Sequence, residues 1–223
     1  MTAARAIAFA AAVLAFGQDR DVPIDNRFVK VVQVHRAMPG VKTRPHLHAM
    51  NRVMIYLNAG GQTISYEDGK VDKLVWKAGE VLWSPQGGMH VAEIAAGEPA
   101  RIVEVELKGG AGKRLTGLPP RDPVKVDARH YALDFENDQV RVLRVKLGPG
   151  EKTPVVEHTW ARVVVYLTGH DLEVTAGDGS RRRLQRSAEK VEWVEPSIES
   201  VRNAGTQATD AVVIYLKSGS GLL

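Results

Sequence analysis

The chain has 223 residues, of which 44% are hydrophobic and 25% charged, a globular balance that argues against disorder and suffices for one large domain or two of about 100 residues each. Its net charge of +4 is scattered rather than gathered into a basic stripe interleaved with aromatics, so no nucleic-acid partner is expected. Cysteine is absent, which excludes disulfides, thiolate metal sites and thiol nucleophiles and leaves His, Asp and Glu to hold any metal.

The first residues read as a leader. Met1–Arg5 is short and basic, residues 6–16 (AIAFAAAVLAF) are apolar, and Gly17 precedes the polar Gln18-Asp19-Arg20. A run of 11 apolar residues is too short to span a bilayer as a permanent helix. With Ala15 and Gly17 at the −3 and −1 positions, residues 1–17 are expected to be a secretory signal peptide. The mature chain would begin near Gln18, periplasmic or secreted, with no membrane partner after cleavage.

From there the sequence repeats itself. Val29-Lys-Val-Val-Gln-Val34 matches Val140-Arg-Val-Leu-Arg-Val145, each following an Asn (Asn26, Asn137). Pro39-Gly40 matches Pro149-Gly150, Arg52-Val-Met-Ile-Tyr-Leu57 matches Arg162-Val-Val-Val-Tyr-Leu167, and Asp68-Gly69, Trp83 and the final strands recur likewise. An offset of 110 residues relates Gly40 to Gly150 and Arg52 to Arg162. Two units follow, 20–108 and 124–223, joined by a Gly/Pro-rich linker at 109–123.

Within each unit, short runs rich in Val, Ile and Tyr alternate apolar with polar residues, Asp-Gly pairs mark hairpin turns, and no capped helical stripe appears. The expected class is all-β, as two small barrels or sandwiches. Arg181-Arg182-Arg183 reads as a solvated loop or strand edge.

Chemistry gathers in the first unit. His46-Leu-His48 lies five residues after Gly40, Arg52 follows, and Gly79-Glu-Val-Leu-Trp-Ser-Pro85-Gln-Gly87-Gly-Met-His90 lies downstream. On a strand, residues i and i+2 face one side, so His46 and His48 present two imidazoles together. The spacings resemble the two motifs of the cupin superfamily: Gly, five residues, His-x-His and a later Glu, then Gly, five residues, Pro-x-Gly, two residues, His. The resemblance covers both repeats. It implies two tandem double-stranded β-helix (jelly-roll) barrels, a bicupin, with His46, His48 and His90 as metal ligands. Three imidazoles suit Fe, Zn, Mn, Ni or Cu and leave coordination positions open.

Arg52 stands where the family has Glu. Arg carries no free lone pair and cannot be a ligand. It is either an anchor for an anionic substrate or the partner of a barrel carboxylate such as Glu93, and its recurrence as Arg162 favours the second reading. In the second repeat Val156 replaces the first His, His158 remains, and Glu199 falls at or next to the third-ligand position, so this motif is degenerate.

Two functions are open. One is a metal-dependent protein acting on a small molecule in the first barrel. The other is a non-catalytic periplasmic ligand-binding or structural bicupin. Barrel edges leave a homodimer as a further option.

Overall fold

The computed structural model describes residues 18–109 and 117–217. The leader read over 1–17 and residues 110–116 of the linker lie outside them. The first unit contributes β1 (Gln18–Asp25), β2 (Val29–Ala37), β3 (His46–His48), β4 (Arg52–Tyr56), β5 (Gly60–Tyr66), β6 (Val71–Trp76), β7 (Val81–Ser84), β8 (Gly87–Ile94) and β9 (Ala100–Leu107). A four-residue helix, α1 (Pro123–Val126), follows, capped by the Asp122 carboxylate, which accepts from the Lys125 amide. The second unit contributes β10 (Tyr131–Glu136), β11 (Val140–Leu147), β12 (Val156–His158), β13 (Arg162–Tyr166), β14 (His170–Ala176), β15 (Arg181–Arg186), β16 (Val191–Val194), β17 (Ser197–Asn203) and β18 (Thr209–Leu216).

Each unit folds into a five-stranded and a four-stranded sheet. The orders are β1-β2-β9-β4-β7 with β3-β8-β5-β6, and β10-β11-β18-β13-β16 with β12-β17-β14-β15. The Arg run forms edge strand β15, where Arg183 pairs with Asp171 and Arg186 with Glu192.

The repeated residues have local causes. The side chains of Asn26 and Asn137 accept from the amides two and three residues on, turning the chain into β2 and β11. Gly69 and Gly179, both at φ 85°, close the β5–β6 and β14–β15 hairpins in a conformation that costs glycine nothing. Thr43 and Thr153 tie their loops to β8 and β17 through paired bonds with Ala92 and Val201.

The five-stranded sheets bury apolar residues on both faces. In the first barrel Val32, Val34, Met54, Tyr56 and Ile102 face inward, toward Trp76 and Ile94 of the four-stranded sheet. Their strand neighbours Val29, Val31, Val53, Ile55, Val81, Val103, Val105 and Leu107 face outward. There they join Val140, Val142, Val163, Val165, Val191, Val212, Ile214 and Leu216 of the second barrel in one cluster. These sixteen residues are eight repeat-related pairs, and the two barrels pack back to back on them. Aromatic pairs flank the seam in both directions: Phe28 stacks on Trp193 at 5.6 Å, and Phe135 meets Trp83 at 6.5 Å. Polar contacts are reciprocal too. Arg144 donates to the Gly79 carbonyl at 2.6 Å, and Gln33 donates to the carbonyl of the equivalent Glu189 at 3.0 Å.

Candidate metal centre in the first barrel

His46 and His48 are the two ends of β3, and His90 stands opposite His46 on β8. The motif's distant parts therefore meet. The three ring centroids lie 4.5–5.2 Å apart, and one ring nitrogen from each lies within 4.8 Å of the others.

The backbone orients two of the rings. His46 Nδ1 lies 2.8 Å from the Arg44 carbonyl and His90 Nδ1 lies 2.9 Å from that of Gly88. A carbonyl only accepts, so each Nδ1 carries the proton and each Nε2 keeps its lone pair, as a ligand must. His48 is reversed. Its Nε2 accepts from Arg52 Nη1 at 2.8 Å, so its ring proton belongs on Nδ1. Burial, and then the Arg52 cation, push the His48 pKa down to about 3, which keeps the ring neutral.

Arg52, buried, lies at the start of β4, and its guanidinium is committed to protein groups: His48, Glu104 Oε2 at 3.0 Å and Ser84 Oγ at 2.8 Å. The carboxylate partner is thus Glu104 on β9, the neighbouring strand of the same sheet. Glu93, the sequence-level candidate, instead faces Lys42 at 3.7 Å. Glu106, also on β9, pairs in register with Arg52 and lies 3.5 Å from Lys30 Nζ. His48, Glu104 and Glu106 form a second group with ligand atoms within 4.8 Å of one another. Two buried polar atoms here lack a hydrogen-bond partner, Arg52 Nε and Glu106 Oε2.

Sequence reasoning missed both glutamates. The signal was present in Arg101-Ile-Val-Glu-Val-Glu-Leu107, where acids at i and i+2 share the face that Ile102 turns inward.

His46, His48, His90, Arg52, Glu104 and Glu106 line a cavity of about 830 Å³. Its wall includes Val34, Met54, Ile94 and Ile102, and the exposed cations Arg20, Lys42 and Arg44 border it. The donor set fits a divalent transition metal. Two imidazoles offer oriented Nε2 lone pairs, the third is neutral, and the Glu106 carboxylate, ion-paired with Lys30, lies close to His48.

The second barrel lacks this arrangement. Val156 pairs with Glu199 as His46 pairs with His90, so Glu199 occupies the third-ligand position. Arg162 donates to Glu199 at 3.1 Å, to Ser197 and to the Glu195 carbonyl, keeping the role of Arg52 with a different acid. His158 Nδ1 lies 2.6 Å from the Tyr215 hydroxyl, and burial holds its pKa well below the usual histidine value. His158, Arg162, Glu199 and Tyr215 are each less than 8% exposed, and Tyr131 and Trp160 pack beside them. These buried side chains occupy the interior of the second barrel.

No protein-family model matches the chain, and no curated protein does. Solved structures do. A single-residue variant of Bacillus subtilis oxalate decarboxylase superposes with a TM-score of 0.60 at 15% identity, covering 88% of this chain and 70% of that one. The same enzyme at pH 4.6 gives 0.59 at 15% identity over 87% and 69%. Its structure from work on the enzyme's Mn(II) centres gives 0.57 at 14% identity over 88% and 70%. The strand order, the paired sheets and this likeness over most of the chain agree: the fold is a tandem pair of jelly-roll barrels like that of the oxalate decarboxylase.

Proposed function

We propose that the first barrel is a divalent-metal centre held by His46, His48 and His90 that acts on a small molecule admitted to the cavity. One observation carries this reading: three neutral-capable imidazoles from β3 and β8 converge on a cavity, two of them with Nδ1 fixed by backbone carbonyls. Three protein ligands leave coordination positions for substrate or water, the pattern of a reactive rather than a closed site. A bound metal would supply Lewis-acid or redox activation. The protein's own groups then divide the work. His46 and His90 hold and orient, the apolar wall excludes water, and Arg52, paired with Glu104 and bonded to Ser84, fixes the ring of His48. The Mn(II) of the structurally similar decarboxylase makes manganese the first metal to try, ahead of Fe, Zn, Ni and Cu. The leader read over residues 1–17 would place this activity in the periplasm or outside the cell.

The test is metal content. The chain from Gln18 is analysed for bound elements beside His46→Ala/His48→Ala. We expect about one transition-metal ion per chain, lost in the variant. If no metal is retained after supplying all five, the reading fails. A second reading then stands, ligand binding without metal, which the bond from Arg52 to His48 Nε2 favours because it occupies the lone pair a metal would take.

A further inference from the structure

The motif carboxylate is missing from β4, yet the site is not short of carboxylates. Glu104 and Glu106 of β9 form a second group with His48, their ligand atoms within 4.8 Å of one another, beside the group of His46, His48 and His90. The two differ in what accounts for them. Glu104 is accounted for by Arg52, to which it is bonded at 3.0 Å. Glu106 Oε2 is buried without a hydrogen-bond partner and is ion-paired at 3.5 Å with Lys30, a partly exposed side chain. Beyond that ion pair the buried oxygen makes no hydrogen bond, so it has capacity for a further partner.

The second barrel supplies an independent comparison within the same chain. β9 pairs with β4 as β18 pairs with β13, which sets Glu104 against Val213 and Glu106 against Tyr215. The arginine persists there and recruits Glu199 as its acid. The carboxylates of β9 disappear together with two of the three histidines. Both carboxylates therefore accompany the ligand histidines, and Glu104 is set apart from Glu106 by its bond to Arg52.

We infer that Glu106 is the carboxylate ligand of the first-barrel metal centre, supplied by β9 in place of the motif carboxylate that Arg52 displaced, while Glu104 is the counter-ion of Arg52. This rests on the metal reading above. It gives the centre three imidazoles and one carboxylate, a donor set suited to a borderline or hard divalent ion such as Mn(II) or Fe(II).

The experiment is a competition titration of Mn²⁺ against a chromophoric chelator, using the chain from Gln18, Glu106→Gln, Glu104→Gln and Glu106→His. The wild type is expected to bind, Glu106→Gln to bind about tenfold more weakly or worse, and Glu104→Gln to stay nearer to wild type. Glu106→His, which restores a ligand without the charge, is expected to recover part of the loss. A purely structural Glu106 would show no such rescue. Wild-type binding with Glu106→Gln unchanged overturns the inference and leaves the three-histidine reading intact. Absence of binding by the wild type overturns both. Should the variants fail to fold, infrared difference spectra of the wild type with and without Mn²⁺ decide. A shift of a glutamate carboxylate stretch on loading supports Glu106, and no shift overturns it.

Discussion

Arg52 occupies two lone pairs that a metal would also seek, those of His48 Nε2 and Glu104 Oε2. Replacing it by Gln should therefore separate two quantities that usually move together. Metal affinity is expected to rise as a competing cation leaves. Stability is expected to fall by about 1–3 kcal/mol, because Glu104 loses its charged partner. Chelator competition and urea denaturation read the two effects. The buried histidines set the acid limit. His158 is held neutral in the folded chain by burial, and His48 is lowered to about 3, while both titrate near 6.5 when unfolded. Below that value the unfolded chain binds more protons than the folded one, so these rings' contribution is complete above pH 6.5 and drains as the pH falls toward 3. Thermal midpoints between pH 7 and pH 4.5 should decline, and His158→Gln should flatten part of the slope. The three histidines were legible because their spacing is fixed by strand alternation and turn geometry. The glutamates were not, since an acid pair alternating with valines also fits the solvent face of any strand, and only the pairing of β9 with β4 shows that this face is the interior.

At the scale of strands, alternation of apolar with polar residues is the pattern of one buried face, and in β2, β4 and β9 the structure shows two. Val31, Val53 and Val103 are wholly buried, but against the other barrel rather than inside their own. The sequence marked these runs as strands without saying which side each residue serves, because both sides are apolar and periodicity alone does not rank them. The repeat pattern held the missing information: all eight outward positions are apolar in both units. Ile55→Ala and Ile214→Ala each open a cavity in that seam and should cost about 2–5 kcal/mol, with calorimetry showing one shared transition for both barrels. An equivalent truncation in the inward cluster, Ile102→Ala, enlarges a cavity that already exists. It should cost less and change ligand uptake more.

For the molecule as a whole, one barrel is open and the other is filled, and the filled one supplies half of the seam on which the open one rests. Residues 18–109 expressed alone should leave that face uncovered and either self-associate or precipitate, as sedimentation would show, while co-expression with 117–217 should restore a soluble pair. The reciprocal contacts of Gly79 with Arg144 and of Glu189 with Gln33 have the two-fold form of a subunit interface, here closed within a single polypeptide. Two separate subunits joined on such a face drift apart when diluted, and their site loses its support with them. Tethered, the halves meet at an effective concentration set by the connecting segment and not by how much protein is present, so the open barrel keeps its shape at any dilution.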